Sequence, residues 1–474
     1  MRKNEKKKIL FVEPRGAYFN VFDNSMTIPL LGPLYLATIA EQDGYDVSVV
    51  NENILGRKIS SNELASIDIL GLSCITATVN RGKEIASEYR KIRKSDNLES
   101  RAIIGGIHAS MIPGDVEPYF DQIIVGEAEN IILDVLSGKI KDKIVYAPRY
   151  NDLDDLPFLD FNLLKNSKTI NIFSIMTSRG CPYNCNFCCV TKMFGREYRT
   201  QSPQRVIDEI SRYKKGVMFF SDDNFAANIK RTDQMLDLMI EVGFNRPWST
   251  QVRTEVTKKP ELVAKMKKAG CTTVYVGLES VNPQSLIEMN KNQSLKDIVH
   301  SIKVFHDNGI EIHGMFILGN DSDTKDVFKK TSDFSIKTGL NYVQYCVLTP
   351  IPGSKTYSQF EKEGRLLHKK WDFYDGLHVV YKPKNMTADE LQQGIIRCFQ
   401  DFYSFPRAIK SALNTSFNMA ATTIKKTYTR AHYPSLNPTL MRWIGRRIIN
   451  NWIDYNKAYL KYLKSLSIID LERA

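Results

Sequence analysis

The sequence predicts an α/β chain made of two successive parallel-sheet units followed by a mainly helical region. Three observations carry this reading. Short apolar runs alternate with amphipathic helical stretches over residues 1–150, and the same rhythm restarts at about residue 169 and continues to about 360. Beyond that point the pattern becomes helical, aromatic and basic. A length of 474 residues suffices for several cores, and 43% hydrophobic with 25% charged residues is ordinary globular composition.

In the first unit, strands are expected at Lys8–Val12, Tyr45–Val50, Ile67–Ser73, Arg101–Ile104 and Gln122–Val125. Helical periodicity occupies Pro33–Gln42, Val79–Ile92 and Glu129–Leu136 between them. Five strands with helical crossovers mean a doubly wound parallel sheet over residues 1–150. Residues 151–168, with Asp152, Asp154, Asp155, Pro157 and Asp160, are expected to be a linker. In the second unit, residues 169–360, the strand candidates are Ile170–Met176, Val217–Phe220, Trp248–Val252, Thr273–Gly277, Ile312–Leu318 and Tyr342–Leu348. Helical stretches such as Pro203–Lys214 and Thr232–Val242 separate them, which leaves an incomplete barrel or a second open sheet. Residues 361–474 form the mainly helical basic region.

Charge is unevenly placed. Of a net +12, residues 401–474 hold +8, from 12 basic and 4 acidic side chains. A chain-wide nucleic-acid coat is therefore not expected, and the basic character is local. No apolar run approaches the ~20 residues that cross a bilayer, and no leader-like segment is recognisable, so the expected location is the cytoplasm.

Four of the eight cysteines, Cys74, Cys271, Cys346 and Cys398, stand singly in apolar or helical surroundings, where cysteine acts as a small hydrophobe. The others cluster. Cys181-Pro182-Tyr183-Asn184-Cys185-Asn186-Phe187-Cys188 has the spacing C-x-x-x-C-x-x-C directly after the first strand of the second unit. A structural zinc site would need a fourth ligand. The segment offers only the adjacent Cys189, whose side chain is expected to point away, and no histidine lies between His108 and His300. Three thiolates and one vacancy suit an iron–sulfur cluster whose remaining iron binds a substrate or cofactor, with Cys181, Cys185 and Cys188 as its ligands.

With Phe187 immediately before the third cysteine, this loop resembles the signature of the radical S-adenosylmethionine (SAM) superfamily. The resemblance implies a [4Fe-4S] cluster, SAM chelating the open iron, a 5'-deoxyadenosyl radical, and a reductant such as flavodoxin or ferredoxin. It spans roughly residues 170–360, as a partial (β/α)6 TIM-like barrel with ligands at the C-terminal strand ends. By the same resemblance Asp222, Asp223 and Asn224 accept hydrogen bonds from the SAM amino group. Gln251 and Arg253 contact its ribose or carboxylate, Glu279 accepts from ribose hydroxyls, and Phe316–Gly319 flank the adenine. Taken singly, each polar residue here is also an ordinary cap or loop residue.

In the first unit, Pro29–Leu34, Gly105-Gly106-Ile107-His108-Ala109 and Val125-Gly126-Glu127 resemble the Rossmann-like cobalamin-binding domain often fused ahead of such a barrel. Gly105, Gly106, His108, Ala109 and Glu127 are the implied cobalamin contacts, since glycines at strand ends let a ligand approach the backbone. The D-x-H-x-x-G motif that supplies a cobalt-ligating histidine is absent, because Gly106 stands two positions before His108. His108 is therefore expected at the cobalamin periphery. The competing reading is a loop histidine in a domain that has lost its cofactor.

A radical SAM barrel with cobalamin implies methyl transfer to an unactivated carbon of a small molecule. Relatives of the same layout instead carry out cyclisation or rearrangement. A tRNA methylthiotransferase would need three more N-terminal cysteines, where only Cys74 exists, and an iron–sulfur electron carrier would not need the polar strand ends. Tyr374, Asp375 and His378 are candidates for the substrate side. In the basic tail, Trp452, Tyr455, Tyr459 and Tyr462 fall at helical spacing on one face, amid Arg442, Arg446, Arg447, Trp443, Lys457, Lys461 and Lys464. The stripe reads either as packing or as a peripheral contact with an anionic membrane surface that would suit a lipid-like substrate.

Overall fold

The computed structural model describes residues 6–404 and 438–472, with side chains from 444 to 466 in the latter stretch. Its first sheet contains β1 (Lys8–Glu13), β2 (Asp46–Asn51), β3 (Ile69–Ser73), β4 (Ala102–Gly105), β5 (Gln122–Val125) and β6 (Ile144–Tyr146). All pairs are parallel, in the order β2-β1-β3-β4-β5-β6. The three-residue edge strand β6 is an addition to the five expected, too short to carry a periodic signal. Because side chains alternate along a strand, Leu10, Val12, Leu70, Leu72 and Ile104 enter one core while Ile9, Phe11, Val49, Ile69 and Ile103 enter the core on the opposite face. The order reverses between β1 and β3, so the loops after these strands part and leave a crevice at their C-terminal ends.

Residues 151–168 are more than a spacer. Leu153, Leu156, Leu159, Phe161 and Leu164 are buried against the first sheet's core, and the intervening aspartates 152 and 160 cap short 3-10 turns. The charged positions that suggested a linker form the outer half of an amphipathic strap.

The second sheet holds β7 (Ile172–Ile175), β10 (Val217–Phe220), β11 (Trp248–Val252), β12 (Cys271–Glu279), β13 (Glu311–Leu318) and β14 (Tyr342–Val347). A small antiparallel pair, β8 (Ser178–Arg179) and β9 (Arg199–Thr200), lies between β7 and β10 in the chain. The six strands are parallel and stand in chain order, so each crossover steps the same way. Right-handed crossovers in one direction put the helices on one face, as in a barrel, and β7 and β14 remain unjoined edges. The sheet is thus an open half-barrel. Along β13 the residues Ile312, Gly314, Phe316 and Leu318 are buried under the helices, while His313, Met315 and Ile317 are half-buried on the concave side.

The C-terminal region packs over this assembly. Helix Ala388–Phe402 starts with a Thr387/Glu390 capping box and lies against β14 and helix Asp326–Lys337. The aromatic stripe is divided between two helices, Pro438–Tyr455 and Lys457–Glu472, because the chain turns at Asn456. Asn456 is buried, donating to the Phe19 carbonyl at 2.9 Å and lying 2.7 Å from His378 Nε2. Trp452 and Tyr459 are buried, with Tyr459 stacked on Phe373 at 4.2 Å, whereas Tyr455 and Tyr462 are exposed. The four rings are therefore split between the interior, where Trp452 and Tyr459 both meet the His378 ring, and the surface. The side chains of Arg442 and Trp443 lie outside the described residues. No described helix is long and apolar enough to cross a membrane.

Candidate active site

A cavity of about 480 Å³ opens at the C-terminal ends of the half-barrel strands. Cys181, Cys185 and Cys188 border it, together with Phe187, Asp223, Gln251, Arg253 and Glu279. The cysteine loop is held to the turn after helix Pro283–Glu288. Asn186 N donates to the Met289 carbonyl at 3.0 Å, Asn186 Nδ2 to the Glu288 carbonyl at 2.7 Å, and Asn290 Nδ2 to the Asn184 carbonyl at 2.8 Å. Burial pushes the Cys181 and Cys188 thiols up, so each keeps its proton until a metal displaces it. Cys189 also borders the cavity instead of pointing away, and burial pushes it up to about 11.

The two aspartates after β10 behave differently. Asp222 is fully buried and turned into the protein, accepting from Thr177 N at 2.9 Å, Thr177 Oγ1 at 3.0 Å and Ser178 Oγ at 2.6 Å. It does not border the cavity, and its place as a SAM contact is corrected: its lone pairs already hold the β7–β8 turn. Asn224 is likewise buried outside the cavity, with its carbonyl accepting from Tyr198 Oη at 3.0 Å. Asp223, by contrast, is exposed, and its surface opens into the cavity. Desolvation by the surrounding walls, helped by the neighbouring Asp222 charge, raises it to about 7.

At the end of β12 the register with β13 slips between Gly277 and Glu279, and Glu279 adopts φ +60°. A non-glycine residue in that region costs energy of order 1–3 kcal/mol, and here it swings the carboxylate back over the strand. There Glu279 Oε1 meets Lys291 Nζ at 2.5 Å, both side chains almost wholly buried. Gly277 makes room, since a Cβ would fall 2.4 Å from Glu279 Oε1 and 2.7 Å from Lys291 Nζ. Lys291 was missed from sequence. Its flanking residues Asn290 and Asn292, both left-handed, were the available sign of a tight turn aimed at the site.

A second cavity, of about 550 Å³, occupies the switch-point crevice of the first sheet. Gly105, Gly106 and Glu127 border it, with Pro29–Pro33 on one side and Arg179, Met193 and Phe194 from the half-barrel on the other. Gly106 has φ +87°, and a Cβ there would come within 2.9 Å of the Cys74 backbone, so the rim admits only glycine. Ile75, Ile107 and Asp223 border both cavities, which are separated by one layer of side chains.

Two expectations for this cavity are corrected. His108 is fully buried away from it, with Nε2 2.9 Å from Asp115 Oδ2, Nδ1 3.3 Å from Thr76 Oγ1, and its ring edge-on to Trp371. Both nitrogens are engaged. Ala109, on the same short helix, is a core residue. Glu127 borders the cavity, but its carboxylate is committed to Arg179 at 2.7 Å and Arg199 at 2.6 Å, while Arg179 also binds Glu129 at 2.5 Å. These four buried side chains tie the two α/β units together. On the substrate side Tyr374 and Asp375 border the first cavity, but the Asp375 carboxylate is consumed by His378 Nδ1 and the backbone of Val21, Leu377 and His378. His378 does not reach the cavity and closes the network to Asn456.

A cysteine-bearing half-barrel facing a glycine-rimmed crevice defines a class of two-cavity α/β proteins, and comparison supplies its family. Residues 175–334 match the radical SAM superfamily and residues 25–136 match the B12 binding domain. The chain carries a radical SAM domain preceded by a B12-binding domain, so its cofactors are a [4Fe-4S] cluster, SAM and cobalamin. It is similar to a bacteriochlorophyllide d C-12(1)-methyltransferase of Chlorobaculum tepidum, with 26% identity over 84% of this chain and 88% of that one. It is also similar to a hopanoid C-2 methylase of Rhodopseudomonas palustris, with 27% identity over 76% and 71% respectively. In fold it resembles the cobalamin-dependent SAM radical enzyme OxsB, with a TM-score of 0.67 and 14% identity over 99% of this chain and 81% of that chain.

The residues present fit these groups. Among the described residues no three His, Cys, Asp or Glu side chains converge tightly enough for a single ion, whereas three thiols border one cavity. Asp223 offers a carboxylate to an incoming ammonium, and Gly105 and Gly106, which carry no side chain, leave the backbone of the crevice rim open to a ligand.

Proposed function

We propose that the protein is a cobalamin-dependent radical SAM C-methyltransferase, acting on an unactivated carbon of a small molecule in the cytoplasm with electrons from an external reductant. The observation that carries this reading is the shared wall of Ile75, Ile107 and Asp223 between the cysteine-lined cavity and the switch-point crevice. When bound, the cofactors supply the reducing electron, the radical precursor and the methyl carrier. The chain's own part is binding, orientation and exclusion of water. Cys181, Cys185 and Cys188 hold the cluster; Asp223 accepts from the SAM amine; Gln251 and the Glu279–Lys291 pair receive its polar groups; Phe187 packs beside them. Gly105, Gly106 and the Pro29–Pro33 segment receive cobalamin.

We read the substrate as apolar and lipid-like. Phe22, Ile75, Ile107, Leu348 and Ile351 give this cavity apolar lining, and the Asp375 carboxylate at its edge is turned inward. On this reading the exposed Arg446, Lys457, Lys461 and Lys464 reach anionic head groups, so flotation with anionic but not neutral vesicles is expected. The decisive experiment is product analysis of reduced, cobalamin-loaded protein with SAM and candidate lipids. S-adenosylhomocysteine formed together with 5'-deoxyadenosine supports methyl transfer. Deoxyadenosine alone with a converted substrate would move the assignment to cyclisation or rearrangement.

A further inference from the structure

Arg253, at the end of β11, is only 7% exposed, and its donors can be followed one by one. Nε donates to both oxygens of Glu255, at 3.2 and 3.1 Å. Nη2 donates to Glu255 Oε1 at 2.9 Å and to the Lys291 carbonyl. Nη1 donates to Cys185 Sγ at 3.6 Å, and the guanidinium lies 3.8 Å from the ring centre of Tyr183, within the cysteine loop. A carboxylate or a ribose diol is gripped by two parallel N–H groups of the guanidinium fork. Among the described residues at most one N–H of Nη1 stays open to the cavity, so a two-pronged grip on SAM has no fork to use.

We propose that Arg253 sets the reduction potential of the cluster held by Cys181, Cys185 and Cys188, by placing a fixed positive charge and an N–H···S hydrogen bond on Cys185. This rests on the reading that those cysteines carry the cluster. One-electron reduction adds a negative charge in a buried cavity, which burial alone disfavours. A cation and a hydrogen bond at a ligand sulfur stabilise the reduced form and raise the potential. Glu255 opposes this in part. With its side chain 26% exposed against 8% for Arg253, solvent screens the carboxylate more than the guanidinium, and the net influence at Cys185 is positive.

The test is an EPR-monitored redox titration of the anaerobically reconstituted full chain without substrate, one electron passing from titanium(III) citrate to each cluster. Arg253→Gln should lower the reduced-to-oxidised ratio at fixed potential at least tenfold, a ~59 mV fall for one electron. Arg253→Lys should recover part of it, and Glu255→Gln should shift the midpoint the opposite way. A purely structural clamp would not give opposite signs for the two partners. An unchanged midpoint in Arg253→Gln at full iron content overturns the proposal, as does a downward shift in Glu255→Gln. Should Arg253→Gln fail to take up iron, the sign in Glu255→Gln decides alone. Wild-type protein that binds no cluster would instead refute the cysteine reading, and absence of S-adenosylhomocysteine would refute methyl transfer without touching the potential.

Discussion

Replacing Arg179 by methionine tests what holds the two α/β units in register. Arg179 is 3% exposed and bridges Glu127 at 2.7 Å and Glu129 at 2.5 Å, the carboxylates themselves being 2% and 5% exposed. Removing it strands Glu129 without its cation, whereas Glu127 keeps Arg199 at 2.6 Å. Breaking a buried pair in this way costs about 3–5 kcal/mol, mostly the penalty of the charge left behind. The double variant Arg179→Met/Glu129→Gln should recover much of that loss, because both charges are then gone. Urea unfolding of the full chain at about pH 7.5, well above the carboxylate range, gives both numbers. Glu127 is held below the ordinary carboxylate range: burial opposes this, but Arg199 and Arg179 outweigh it. Its contribution is therefore present above the unfolded glutamate value and is lost as pH falls through the folded one, so the penalty of Arg179→Met should shrink in acid. Because Arg179, Glu127 and Glu129 also border the crevice, cobalamin affinity should fall together with stability. A cost below about 1 kcal/mol, the range of exposed pairs, would refute the idea that this network joins the units.

Asp222 and Asp223 should separate cleanly. Asp223→Asn is expected to weaken SAM binding by about 1.5–3 kcal/mol, measured by equilibrium dialysis, while Asp222→Asn should lower the melting temperature with less effect on affinity. Since only ionised Asp223 pairs with the amine, wild-type affinity should rise with pH through about 7. The same raised value means that Asp223 costs ligand-free stability as pH climbs from the unfolded aspartate range to about 7, and the Asp223→Asn variant should lack that dependence. His108→Ala should leave the bound corrinoid spectrum unchanged, because both ring nitrogens are engaged away from the crevice; loss of a cobalt-ligation band would contradict this. Triple replacement of Cys181, Cys185 and Cys188 by alanine should abolish the roughly four irons of reconstituted protein, whereas Cys189→Ala should keep them.

Local features were legible in the sequence where chemistry and spacing coincide. The cysteine loop, the period-two apolar runs of the sheets and the glycines at strand ends are each determined by a few neighbouring residues, because thiolate identity, strand alternation and positive φ are local properties. What only the tertiary structure decided is which polar side chain has a partner. Asp222 and Asp223 are adjacent and alike in sequence, yet one is saturated by Thr177 and Ser178 and the other faces a cavity. His108 is claimed by Asp115 and Trp371, and Glu127 by Arg179 and Arg199, the arginines 52 and 72 residues away along the chain. Of the evenly spaced tail aromatics, Trp452 and Tyr459 pack on His378 beside Asn456, which the Phe19 carbonyl and His378 engage, while Tyr455 and Tyr462 stay exposed. A buried hydrogen-bonding group must be satisfied by whatever the fold brings to it, and that partner lies on another element whose position no local pattern encodes.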